Sequence, residues 1–184
     1  MRVLIYGFGP YREFRYNVTE KILRQLPKQR QLKKIVFPVK FDRRQFTNAI
    51  KKFKPDVILG LGQCSEGRLL RIEARAVNKK RAEKKGPGAP IVQGGARFLS
   101  TNLKLNLGRA AKRSRNAGDY VCNYSMYIIL DFLNRQRLRI PYGFVHIPHG
   151  YDKVKARRLL LKALRQLNGT HTVTVRSAAR SRGL

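Results

Sequence analysis

Three short apolar runs separated by two stretches of helical periodicity occupy the first third of this chain and leave few folds open to it. Val3–Tyr6, Lys34–Val39 and Asp56–Leu61 each read as a strand bounded by turn residues. Between the first two, Asn17 or Thr19 is placed to cap a helix running to about Leu26, with Glu20 in its first turn. Between the second and third, Asp42 opens a helix that puts Phe46, Ala49, Ile50 and Phe53 on one face and ends at Lys54-Pro55. A strand–helix–strand–helix–strand opening predicts parallel strands joined by crossover helices. The expected fold class is therefore α/β: a single three-layer α/β/α domain with a mixed, mostly parallel twisted sheet.

Further along, Arg68–Asn78 reads as extended, Tyr142–Pro148 as an apolar strand, and Asp152 to about Leu167 as an amphipathic helix stopped at Asn168-Gly169. Lys79–Pro90 carries five basic residues and the break Gly86-Pro87-Gly88, and is expected to be an exposed loop. Ile91–Ala117 holds few signals. With 184 residues the chain fits one domain. The domain is expected over residues 1–167. Residues 168–184 form a basic tail without acidic residues or a core pattern, expected to be partly disordered.

Charge sets this chain apart. Forty-one Lys and Arg against ten Asp and Glu give a formal net charge of +31. Such a balance predicts salt-dependent adherence to nucleic acid or other polyanions. It does not define a dedicated site, because the basic residues are spread over the whole chain. Zinc-finger spacing, aromatic RNA-binding signatures and a helix-turn-helix pattern are all missing from the sequence. Two cysteines and three histidines lack metal-ligand spacing, so neither a metal site nor a disulfide framework is expected. No apolar stretch reaches the roughly 20 residues needed to span a bilayer. Val3–Tyr6 stops at Gly7 and does not read as a secretory leader, so a cytoplasmic location is expected.

Cys122 carries the chemistry. It follows the turn Asn116-Ala117-Gly118 and precedes Met126, Ile129, Leu130 and Leu133 at helical spacing, which places it in the first turn of a helix. Unpaired N–H groups and the partial positive charge of a helix N-terminus favour thiolate over thiol. His146 lies in the strand-like run Tyr142–Pro148, and Glu73 lies in the extended segment Arg71–Asn78. A cysteine, a histidine and a carboxylate on separate elements are the parts of a cysteine hydrolase. Cys64 reads as structural and His149 as a loop residue. Gly60-x-Gly62 lacks the lysine and glycine sets of a phosphate-binding loop.

Five segments in order resemble the pyroglutamyl peptidase type I family, also called pyrrolidone carboxyl peptidases. Gly7-Phe8-Gly9-Pro10-Tyr11 with Asn17 is similar to the family's G-F-x-P-F…N opening. Gly60-Leu61-Gly62-Gln63 with Gly67-Arg68 resembles its G-x-G-Q…G-R loop, and Ile72-Glu73 with Ala76-Val77-Asn78 its I-E-R-x-A-x-N segment. Asn116 to Tyr127 resembles S-x-A-G-x-Y-x-C-N-x-x-M-Y, and Gly143–Pro148 resembles G-F-x-H-x-P.

The resemblance implies a cysteine exopeptidase that removes an N-terminal pyroglutamyl residue through a thioester and needs no cofactor. Cys122 would be the nucleophile, His146 the acid–base and Glu73 the residue that orients it. Phe8 and Tyr11 would sandwich the lactam ring, with Gln63 and Asn17 near its polar edge. The family also implies a homo-oligomer, a dimer or more usually a tetramer. This chain departs from the pattern in places. Ala74 stands where the family has Arg, Arg12 and Glu13 stand where glycines usually follow the opening aromatic, and Tyr11 stands where Phe is usual. The basic Lys79–Lys85 replaces an acidic segment whose arginine has no clear counterpart, Glu83 falling near its place. Two rival readings stay open: an inactive or re-specialised relative, and a polyanion- or RNA-binding protein on the same scaffold.

Overall fold

The computed structural model describes residues 1–11, 14–81 and 87–180, with 168–180 described as backbone alone. Glu83 and the Arg12-Glu13 pair fall outside the described residues, as does the stretch 181–184 of the tail.

The strand–helix alternation of the sequence folds as expected. Strands β1 (Val3–Phe8), β2 (Leu32–Phe37) and β3 (Val57–Cys64) are joined by α1 (Val18–Gln25) and α2 (Arg43–Phe53). Asn17 caps α1 by accepting from the Thr19 N–H, and Asp42 caps α2 by accepting from the Arg44 N–H. Then come β4 (Leu70–Glu73), β5 (Arg75–Val77), β6 (Phe98–Ser100), β7 (Ala111–Ser114), α3 (Val121–Arg135), β8 (Tyr142–Pro148) and α4 (Lys153–Arg180). Six strands form one sheet in the order β2-β1-β3-β8-β4-β7. Every pairing in it is parallel except β4 with β8. The strands β5 and β6 make a separate antiparallel pair.

The sheet is buried on both faces, which is why its central strands are continuously apolar. Leu4, Tyr6, Ile58 and Phe144 point to the side of α2 and α3. Val3, Ile5, Leu59, Leu61, Val145 and Ile147 point to the side of α1 and α4. This is the three-layer arrangement the sequence predicts.

Boundaries differ where long-range pairing decides them. β2 begins two residues before the predicted Lys34 and stops at Phe37, its register with β1 running from Val3↔Leu32 to Phe8↔Phe37. The next residue, Pro38, cannot donate to a ladder. β3 runs past Leu61 to Cys64 because Gln63 and Cys64 pair with Ile147 and Pro148 of β8. The helix α4 continues through Asn168-Gly169 to Arg180. A single interior glycine costs about 1 kcal/mol, and no proline follows before Arg180 to break the helix. No helix among the described residues is long and apolar enough to cross a membrane.

Candidate active site

Strand alternation places the site. Arg71 and Ile72 of β4 pair antiparallel with His146 and Val145 of β8. With a side-chain period of two, Arg71, Glu73, Phe144 and His146 therefore share the face beneath α3. Glu73 lies one pleat deeper than His146 and diagonal to it. Its Oε1 is 2.8 Å from His146 Nδ1. Glu73 is fully buried, and among the described residues its Oε2 has no hydrogen-bond partner. A carboxylate oxygen can only accept, so Nδ1 carries the proton and Nε2 is left for the thiol.

Thr101 holds the carboxylate's own backbone, its hydroxyl donating to the Glu73 carbonyl at 2.8 Å.

Cys122 enters from above on the first turn of α3, as the sequence predicts. Gly118 makes the approach turn at φ +79°, with its N–H held by Asn116 Oδ1 at 3.0 Å. Tyr120 occupies the N-cap position without a side-chain capping bond, so the amides of the first turn stay available. Two anchors fix the height of the turn. Asn123, fully buried, accepts from Val77 N–H and donates to the carbonyls of Val77 and Lys79, each at 2.8 Å. Ser125 Oγ donates to the Cys122 carbonyl at 2.8 Å and meets Tyr6 OH at 3.1 Å, which in turn meets Tyr142 OH at 2.7 Å.

His146 hydrogen-bonds both Cys122 and Glu73. Burial pulls its pKa down, but the Cys122 charge and hydrogen bond, and then Glu73, raise it to about 9. The imidazolium is thus the favoured form of His146 at neutral pH.

Gly62 makes room for this pair. A Cβ there would lie 2.7 Å from Cys122 Sγ and 2.8 Å from His146 Cδ2. Read from sequence, Gly62 has no role of its own. The available signal was a glycine inside an apolar strand, which often marks a close approach.

Two cavities flank the thiol. On the β1 side, a cavity of about 100 Å³ is walled by Phe8, Tyr11, Phe14, Asn17, Gln63 and Tyr120, among others. On the β4 side, one of about 310 Å³ is lined by Arg71, Asn116, Gly118, Cys122 and His146, among others. Of the predicted pocket residues, Phe8 is buried against Tyr6 and Phe46. Tyr11 packs on Tyr120 with ring centroids 4.8 Å apart. Gln63 Oε1 accepts the Val18 N–H at 2.8 Å, so the side-chain NH2 is the group left for the cavity. Asn17 is occupied differently: its Oδ1 takes Thr19 N–H and hydroxyl, and its Nδ2 donates to the Gly9 carbonyl. Its structural work is to fix the wall.

Phe14 carries no signal in the sequence, and Tyr120 and Asn123 stand out there only as parts of the motif around Cys122, without a role of their own. Arg81, in the basic segment, pairs with Asp119 at 2.9 Å and lies 5.6 Å from the Tyr120 ring centroid. His149 stacks on Tyr16, with centroids 5.0 Å apart. Cys64 lines the β4-side cavity, and burial pushes its thiol pKa up. No group of three or more His, Cys, Asp or Glu gathers as a metal site among the described residues.

A three-layer α/β/α fold that sets a thiol, an imidazole and a buried carboxylate in hydrogen-bonded order is the build of a cysteine hydrolase. Residues 1–158 match the sequence model of one such family, described as pyroglutamyl peptidase, and the chain belongs to that family. It is 25% identical over 177 residues to a pyrrolidone-carboxylate peptidase of Thermosipho melanesiensis, covering 86% of this chain and 88% of that one. A counterpart from Lactobacillus acidophilus is 28% identical, again over 177 residues with the same coverage. Among solved structures, a mutant pyrrolidone carboxyl peptidase from Pyrococcus furiosus superposes with a TM-score of 0.78 at 25% identity, covering 91% of this chain and all of that one. Pyroglutamyl peptidase I of Bacillus amyloliquefaciens gives 0.77 at 24% identity, covering 86% and 92%.

Proposed function

We propose that this protein is a cysteine peptidase that removes N-terminal pyroglutamyl residues from peptides. One observation carries the reading: the His146 imidazole bridges Cys122 and a buried Glu73 beside a cavity of about 100 Å³. Aromatic walls and the Gln63 amide suit a neutral lactam, which needs apolar faces and few fixed donors.

In this reading the Cys122 thiolate attacks the pyroglutamyl carbonyl, and the first-turn amides of α3 receive the oxyanion. The tetrahedral adduct collapses to a thioester as imidazolium Nε2 gives its proton to the departing amine. Neutral Nε2 then takes a proton from water, which attacks the thioester and returns the thiolate. Glu73 holds Nδ1–H throughout and stabilises the cationic ring. Phe8, Tyr11 and Gln63 hold the lactam, and Asn17 positions their wall. Family membership together with an intact relay disfavours the rival readings of an inactive relative or a polyanion binder alone. The test is hydrolysis of a pyroglutamyl-coumarylamide reporter in reducing buffer. Turnover that disappears in Cys122→Ser is the expected result, and no turnover from folded wild-type protein overturns the proposal.

The net charge of +31 adds partners of another kind: polyanions such as nucleic acid, bound without sequence preference. Retention on heparin should fall steeply with salt, and salt-independent retention would oppose this. Self-association into a dimer or tetramer should likewise require salt or a polyanion to screen subunit repulsion. Identical sedimentation at low and high salt would count against it. Both cysteines are free, which suits a reducing cytoplasm.

A further inference from the structure

The sheet continues past the imidazole as a cationic row. Gly62 pairs with His146, His146 with Arg71, and Arg71 with Lys112, each in register on neighbouring strands β3, β8, β4 and β7. Register partners point to the same face, so Cys122 above Gly62, then His146, Arg71 and Lys112 stand in a line toward the sheet edge, about 4.8 Å per strand. The lactam cavity lies on the opposite, β1 side of Cys122. A peptide with its ring in that cavity must therefore send its leaving portion along the row, through the cavity of about 310 Å³ lined by Arg71, Asn116, Gly118 and His146.

Arg71 is partly buried there, and its Nη2 donates to the Glu66 carbonyl at 3.0 Å. Among the described residues neither Arg71 nor Lys112 has a carboxylate partner. A guanidinium held by a carbonyl keeps its charge and its remaining N–H donors for something else.

We propose that Arg71, supported by Lys112, sets specificity for the leaving peptide by taking a carboxylate on the first residue after the scissile bond. The carboxylate has two sources: an acidic side chain at that position, or the free C-terminus of a pyroglutamyl dipeptide. This rests on the peptidase activity proposed above. Protein-wide charge favours every acidic peptide, but removing one cation changes the formal net charge of +31 by a single unit, so a local contact separates cleanly from the general field.

The experiment compares kcat/KM for pyroglutamyl-Ala-amide, pyroglutamyl-Glu-amide, pyroglutamyl-Lys-amide and the free acid pyroglutamyl-Ala, in wild type, Arg71→Gln and Arg71→Glu. Wild type should favour the Glu-amide over the Lys-amide by about tenfold at low salt, carried mainly by KM and shrinking as salt rises. Arg71→Gln should bring the ratio within about twofold, and Arg71→Glu should reverse it. A wild-type preference for the free acid alone assigns the site to the C-terminal carboxylate, and a preference for the Glu-amide alone assigns it to the side chain. Each ratio is taken within one variant, so partial loss of folded protein cancels. Equal rates on all four in wild type overturn the subsite alone. Hydrolysis of none overturns the peptidase reading and this proposal with it.

Discussion

Replacing Gly62 with alanine would put a methyl carbon 2.7 Å from Cys122 Sγ and 2.8 Å from both His146 Cδ2 and Phe144 Cε1. Carbon contacts are comfortable at about 3.5–4.0 Å, so each neighbour must give way by roughly 1 Å. The strand cannot retreat, because Gly62 is paired within β3 and β8 inside the sheet. The thiol and the imidazole must move instead. A misplacement of about 1 Å can cost on the order of 10²-fold in rate, while overpacking typically costs about 1–3 kcal/mol of stability. The expected outcome is a folded Gly62→Ala protein whose kcat on a pyroglutamyl reporter falls about a hundredfold. Alkylation of Cys122 by iodoacetamide should slow in parallel. Gly143→Ala supplies the comparison: its Cβ would meet Leu103 Cβ at 3.1 Å, on the other face of the sheet and away from the thiol. It should lose stability without a comparable loss of kcat. A Gly62→Ala enzyme that unfolds like wild type and keeps kcat within about threefold would refute the reasoning.

Three further outcomes follow from the same geometry. Glu73→Gln keeps the shape but removes the charge facing Nδ1, so kcat should fall on the order of 10²-fold or more; an unchanged kcat–pH profile would remove Glu73 from the relay. His146 should titrate near pH 9 by NMR, and its midpoint should drop in Cys122→Ser, which deletes the largest of the raising influences. The sign for stability follows: a folded pKa above the unfolded value of about 6.5 stabilises fully below that pH, and the contribution is lost as pH rises through about 9, at on the order of 1 kcal/mol per pH unit. Phe8→Ala empties a site in the aromatic core and should cost about 3–5 kcal/mol by denaturant unfolding; a loss below about 1 kcal/mol would show that the ring is not a structural wall.

Cys122 was legible in the sequence through a local signature, a glycine turn followed by helical periodicity, whereas His146 and Glu73 stood out through the family motifs that hold them. Asn17 was legible twice, as a candidate cap for α1 and, through the resemblance, as a residue near the lactam's polar edge. The structure makes it the cap, with Thr19 taking its oxygen, and sets it in the wall of the β1-side cavity. Arg71 carried no local signal, since nothing near it in sequence says that it stands beside His146 or that Lys112 stands beyond it.

What the sequence determined by itself was the alternation of strands and helices, the three-layer class and the helix-start position of the Cys122 thiol. These depend on periodicity, capping and turns, which act over a few residues. Tertiary structure alone decided that β4 runs antiparallel to β8, and the relay follows from that choice. Because β4 runs that way, Glu73 lies beneath His146 rather than level with it. The same register puts Gly62 under the thiol and Arg71 on the leaving-group side. Strand order and register are set by pairing between segments as far apart in the chain as Ile58 and Tyr142, whose energetics lie in contacts that no local stretch contains.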